Sequence, residues 1–265
     1  MALTKFLNAP INTVTRERVF FHKLYFDLKL AAARAGYPLS IFEPEVDRDK
    51  FDILLDDGDN ERRVQLKTFT LSSGTSQWKS NKRFMRPDIQ TGARLGIPPA
   101  DCGVGGGCIA IEIDDANDDA PVSYFYTDRF VVGSFASGLL GEFGSQQPRG
   151  KGRPPSERRK LAREFLADLA VGEPKDAVDL PKRLFVRLRS PDAVLAIASL
   201  HSVESCYLPS NHVLDAEVIR FVADDNGVSE DGLDETVVAT VHARMQDILA
   251  LIDDPTLMTF SRRVT

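Results

Sequence analysis

The stretch FDILLDDGDNERRVQLKTFT, residues 51–70, holds a carboxylate, an amide and an ammonium at spacings that can bring them to one surface. Side chains alternate faces along a strand. In RRVQLKTFT, Val64 and Leu66 therefore point to a core, and Gln65 and Lys67 point together to the other side. In FDILLDD the core set is Phe51, Ile53 and Leu55, with Asp52 opposite. If the two strands pair through the turn at 56–61, Asp52, Gln65 and Lys67 converge. Glu17, near the start of a packed helix, can reach the same place. Such a cluster suits metal-dependent phosphodiester hydrolysis. Asp52, the Gln65 amide oxygen and Glu17, with the Leu66 carbonyl, offer oxygen ligands to Mg²⁺, which keeps several waters; Mn²⁺ is the alternative. The metal activates water and neutralises phosphate charge. Lys67 would hold the attacking water or the pentacovalent phosphate as a compact point charge. Glu43 and Glu45 are rival ligands. Each residue also has an unreactive reading. Asp52 can end a turn or pair with Arg62, Gln65 and Lys67 can form a solvated strand face, and Glu17 can sit at the positive end of a helix dipole.

Several elements must position these residues. Residues 15–35 read as a helix, capped by Thr15 and ended by Gly36, with Phe21, Leu24, Leu28, Ala31 and Ala35 on one stripe. Glu17 precedes Phe21 by four residues and starts the same stripe. YPLSIFEP, FDILLDD and RRVQLKTFT read as strands, as do CIAIEID, VSYFYTD and RLFVRLR. A helix around 81–95 is weakly signalled. AVLAIASL and HVLDAEVIRFVAD fit strand or helix. ERRKLAREFLADLA and DETVVATVHARMQDILALID read as helices, the latter with Val238, Val241, Met245, Ile248 and Ile252 on one side.

Charge is unevenly spread. The net charge is −6, which argues against a general nucleic-acid coat. Yet Lys79, Lys82, Arg83, Arg86 and Arg94 follow the QxK strand closely, with Trp78 among them. An aromatic amid cations suits a nucleic-acid backbone with a base stacked on the ring; a packed tryptophan in a loop is the alternative. A second basic run, PRGKGRPP, carries Lys151 and Arg153 and resembles an AT-hook, a minor-groove segment, or is a plain linker. GVGGGC precedes a strand and lacks a following GK[ST], so neither a P-loop nor a dinucleotide fold is indicated. The three cysteines form no CxxC pair and the four histidines show no ligand spacing. No apolar run is long enough for a membrane span and the first residues lack the apolar core of a signal peptide, so a cytoplasmic protein is expected.

Glu17, Gly36-Tyr37, Asp52 and Gln65-Leu66-Lys67 occur in the order of a known pattern. In this the chain resembles the PD-(D/E)XK nuclease superfamily, and within it the Mrr-like and Holliday-junction-resolvase-like branches with a QxK variant. The resemblance covers about residues 12–70. The Pro-Asp pair is absent, Lys50 stands where Gly often precedes the Asp by two positions, and Gln65 removes one negative charge. The resemblance implies an α/β fold: a restriction-endonuclease-like core with a central mixed sheet flanked by helices, over 1–145. A basic linker or loop at 146–156 and a smaller C-terminal α/β part at 157–265 complete the expected organisation. It implies a Mg²⁺-dependent deoxyribonuclease acting in defence against foreign DNA or its processing, with DNA as partner. A homodimer is compatible with two cuts in a duplex. A non-catalytic nucleic-acid-binding relative and a protein-interaction subunit of a larger assembly are the competing readings.

Overall fold

The computed structural model describes residues 2–45, 51–117, 119–142, 157–204, 211–224, 227–229 and 233–259. The chain opens with helices α1 (Ala2–Asn8) and α2 (Thr13–Ala35), then strands β1 (Ser40–Phe42), β2 (Ile53–Asp56), β3 (Glu61–Thr70) and β4 (Gln77–Asn81). Two short helices, α3 (Lys82–Met85) and α4 (Ile89–Arg94), precede β5 (Gly107–Ile113), β6 (Val122–Thr127), α5 (Arg129–Ser137) and β7 (Leu140–Glu142). After the basic stretch come α6 (Glu157–Ala170), β8 (Ala177–Pro181), β9 (Val186–Leu188), α7 (Pro191–Ile197) and α8 (Asn211–Val218). The described chain closes with β10 (Val222–Asp224), β11 (Gly227–Ser229), α9 (Glu235–Leu251) and β12 (Leu257–Thr259).

The protein is α/β, with a six-stranded mixed sheet in the order β1-β2-β3-β5-β6-β9. Only the β3–β5 pair is parallel; the other four are antiparallel. Three two-stranded sheets, β4–β8, β7–β12 and β10–β11, lie outside it. Among the described residues no helix is long and apolar enough to cross a membrane.

Register assigns every side chain to a face. Ile53 pairs with Val64, Leu66 with Ile109, Ile111 with Tyr124, and Tyr124 with Leu188. These residues therefore share one face, against which α2 and α7 pack; the Tyr124 hydroxyl donates to Asp27 of α2 at 2.5 Å. Gln65, Lys67, Phe69, Cys108, Ala110 and Phe125 share the other face by the same alternation. The β4–β8 ribbon covers that side, with Trp78 against Phe69 and Phe185 against Trp78.

Helix α2 ends in a run of strong helix formers, LKLAAARA, and stops at Gly36, whose φ of 79° is the left-handed end a glycine supplies most cheaply. It buries Phe20, Leu24, Leu28, Ala31 and Ala32. Leu24, Leu28 and Ala31 lie on that stripe as the sequence predicts; Phe21 and Ala35, predicted with them, are half-buried, and Phe20 and Ala32 are buried instead. The helix predicted over 81–95 is two, because Pro87 lacks an amide donor and disfavours helix before it. AVLAIASL resolves as helix α7, whose Ser190 hydroxyl caps the Ala193 amide at 3.1 Å with Pro191 in the first turn.

The residues after the basic stretch, expected as a smaller α/β part, contribute β9 to the central sheet and β8 to β4. One hydrophobic core includes Leu24 and Val64 from before that stretch and Val186, Val194 and Met245 from after it.

Candidate active site

The site begins where β2 begins. The β2–β3 ladder starts at Ile53 opposite Val64, and the Asp52 amide still donates to the Val64 carbonyl at 2.9 Å. Asp52 therefore stands opposite Gln65. Among the described residues no strand pairs with β3 beyond this point on the β2 side. The next exposed amide of β3, that of Leu66, donates instead to Asp52 Oδ2 at 2.6 Å. A carboxylate thus replaces the missing ladder partner and is oriented by it.

The result is a notch at the open edge of β3, opening into a cleft of about 590 Å³. Gln65, Leu66, Lys67 and Thr68 all line it and all are half-buried. Because successive residues face opposite sides, a cleft that touches all four is reached from the edge of the strand. Leu66 packs against the core as expected and, half-buried, also borders the cleft. Helix α2 supplies the facing wall through Val14, Glu17, Arg18 and Phe21, a stripe at helical spacing distinct from the buried Phe20–Leu24–Leu28 stripe. Arg16, Glu43, Asp52, Trp78 and Ile111 complete the lining.

The structure thus brings Asp52, Gln65, Lys67 and Glu17 to one cleft. Gln65 Oε1 accepts from the Ser80 hydroxyl at 2.9 Å, which fixes the direction of its carbonyl. Lys67 Nζ donates to the Lys79 carbonyl at 3.1 Å, tying β3 to β4. Glu43 joins Arg18 at 3.1 Å, with both side chains more than half exposed, so solvent screens the pair. Glu45, the other rival ligand, is exposed and lies outside the cleft lining. Arg62, the alternative partner for Asp52, is buried on the other face, 2.8 Å from Asp128 and bonded to the Tyr126 hydroxyl. Cys108, opposite Gln65 in the parallel register, is fully buried. Burial pushes its thiol up to about 12, so it is no nucleophile at neutral pH.

Donor chemistry at the notch suits a hard divalent cation: one carboxylate and one directed amide oxygen on adjacent strands, with Glu17 lining the same cleft. The set is sparse. Among the described residues no three His, Cys, Asp or Glu side chains cluster as a metal site.

The basic residues after β3 divide. Lys79, Arg83 and Arg94 are exposed. Lys79 pairs with Asp179 at 2.8 Å, and Arg94 lines a second hollow with Arg63 and Asp88. Lys82 and Arg86, predicted to touch nucleic acid, are 5% and 3% exposed. Lys82 Nζ donates to the Asp168 and Val171 carbonyls. Arg86 donates to the Leu169, Val171 and Gly172 carbonyls. Both therefore satisfy the negative C-terminal end of α6. Their assignment to a nucleic-acid surface is corrected to a structural role. Trp78 is half-buried and lines the cleft. Lys151 and Arg153 lie outside the described residues, as does the 146–156 stretch. Sequence reasoning missed Ser80, the hydroxyl that directs Gln65; its signal was only that it stands in the strand after QxK.

The sequence matches no protein-family model and no curated protein. The resemblance to the nuclease superfamily therefore rests on the order of Glu17, Gly36-Tyr37, Asp52 and Gln65-Leu66-Lys67.

Proposed function

We propose that the cleft is the active site of a metal-dependent endonuclease that hydrolyses DNA phosphodiester bonds, on a core of restriction-endonuclease type, in defence against foreign DNA or its processing. The observation that carries this reading is the meeting of Asp52, Gln65, Lys67 and Glu17 at the open edge of β3. A divalent cation, Mg²⁺ or Mn²⁺, held by Asp52 and Gln65 with Glu17 would polarise a phosphoryl oxygen and make water easier to deprotonate.

The chain's own groups do the rest. Asp52 brings the negative charge, fixed in direction by the Leu66 amide. Gln65 presents a carbonyl oxygen held by Ser80. An ammonium has three donors; anchoring Lys67 on the Lys79 carbonyl leaves capacity for a phosphate oxygen or the attacking water. Stabilising charge that develops on phosphate is the dominant task in such a site. Lys79, Arg83 and Arg94 would hold the flanking backbone, giving affinity that falls with salt.

Plasmid cutting by the wild type and Asp52→Asn in Mg²⁺, Mn²⁺ or EDTA tests this. Asparagine keeps an acceptor for the Leu66 amide and removes the charge. Cutting in either metal, none in EDTA, and loss in the variant are expected. Cutting in EDTA, or an undiminished variant, contradicts the reading. Salt-sensitive binding without cutting in any metal selects the non-catalytic binding protein instead.

A further inference from the structure

We infer that Trp78 is a stacking surface for an unpaired nucleobase, so that the cleft takes single-stranded DNA or the unpaired part of a branched one. This rests on the nuclease reading and narrows its substrate. The ring is braced from behind. Phe69 lies 5.6 Å away, tilted, and Phe185 5.3 Å away, edge to face. Lys182 holds the cluster from outside, its ammonium 3.9 Å from the Phe69 centroid and 3.4 Å from Glu112. Trp78 is nonetheless only half-buried, and it lines the cleft beside Lys67, which is bonded to the backbone of the very next residue, Lys79. A large aromatic surface therefore stands next to the group assigned to the phosphate, in a cleft whose lining also includes Glu17, Arg18, Glu43 and Asp52.

The chemistry that uses such a surface is base stacking, which is tolerant of sequence because every base has a π-face. A base inside a duplex has both faces covered by its neighbours and offers only its edges to a groove. It reaches an aromatic platform only by leaving the stack. The cleft, at about 590 Å³, falls in the range of small-molecule sites and has room for a nucleotide.

Trp78 is the only tryptophan in the chain, so its fluorescence reports on this cleft alone. The test titrates the full-length protein, in Ca²⁺ with the DNA recovered intact, with oligothymidylate and with a blunt duplex of the same length. Fluorescence of Trp78 and anisotropy of labelled DNA are both followed. Saturable quenching by oligothymidylate is expected, with the duplex weaker by about tenfold or more. Trp78→Ala should weaken oligothymidylate binding by about tenfold to a hundredfold, and Trp78→Phe by no more than about threefold. If the alanine variant loses its far-ultraviolet circular dichroism, the wild-type titration and the phenylalanine variant decide. Equal quenching by the duplex, unmoved fluorescence while labelled oligothymidylate binds, or full binding by Trp78→Ala overturns the inference. Plasmid cutting by the wild type then still stands as separate support for the nuclease reading; absence of both cutting and binding removes the two together.

Discussion

Gln65 gives the notch a neutral oxygen where a carboxylate would add a charge. It stands opposite Asp52 across the β2–β3 ladder, and like charges placed so repel by up to about 1 kcal/mol. Gln65→Glu keeps an acceptor for the Ser80 hydroxyl and adds that second charge. It should raise Mn²⁺ affinity by about tenfold, read by titration calorimetry, and lower the melting temperature in EDTA. Unchanged Mn²⁺ affinity would place the metal away from Gln65. At this scale the sequence was legible through alternation: Gln65 and Lys67 do share a face with Asp52. It was not legible for Lys82 and Arg86. A basic side chain reads the same whether it faces solvent or the carbonyl end of a helix, and only the packing of α6 decides. Arg244 makes the same point, fully buried and donating to the Ala196 and Ile197 carbonyls from within an otherwise apolar stripe.

Elements with a clean period were readable and those without were not. Helix α2 and strands β3, β5 and β6 follow their patterns. Helix α5 buries nearly every residue, so it carries no polar face to mark it. Its start is fixed by Asp128, whose Oδ1 accepts from the Val131 amide while Oδ2 meets Arg62. Where α5 meets α8, Asp215 lies 3.0 Å from Arg129, with Asp128 and Arg62 nearby in the same buried cluster. Burial outweighs the neighbouring cations and pushes the Asp215 carboxyl up to about 7. An unfolded Asp titrates near 3.9. Between about pH 4 and pH 7 the folded chain therefore holds a proton that the unfolded chain has released, so this group's contribution to stability falls as pH rises and is flat above that window. Asp215→Asn removes the titration. Urea unfolding should show wild type losing stability relative to the variant between about pH 4 and pH 7. A constant difference across that range would contradict the assignment.

At the scale of the molecule, the segments on either side of the basic stretch are woven together. Strand β9 completes the central sheet, β8 pairs with the strand that carries Trp78, and α7 packs on α2. The sequence marks the 146–156 stretch by its lack of apolar period, but period says nothing about which distant strands pair. Residues 1–145 expressed alone would expose the β6 edge and the Trp78–Phe69 surface. That fragment should lack a cooperative melt and near-ultraviolet dichroism. A cooperative, native-like fragment would show instead that the first segment carries its own core. The weave also explains how the cleft is held. Its walls come from α2 on one face and β4 on the other, and each wall is buttressed by an element from the later segment.

The central claim is that the notch cleaves DNA with Lys67 acting on the phosphate. Single-turnover cutting of supercoiled, linear and branched DNA by the wild type and Lys67→Ala, in saturating Mg²⁺ or Mn²⁺, tests it most directly. A loss of about 10²- to 10³-fold in rate, with DNA affinity changed far less, is the expected result. Cutting at the wild-type rate by Lys67→Ala, or no cutting by the wild type on any of the three substrates in either metal, would contradict it.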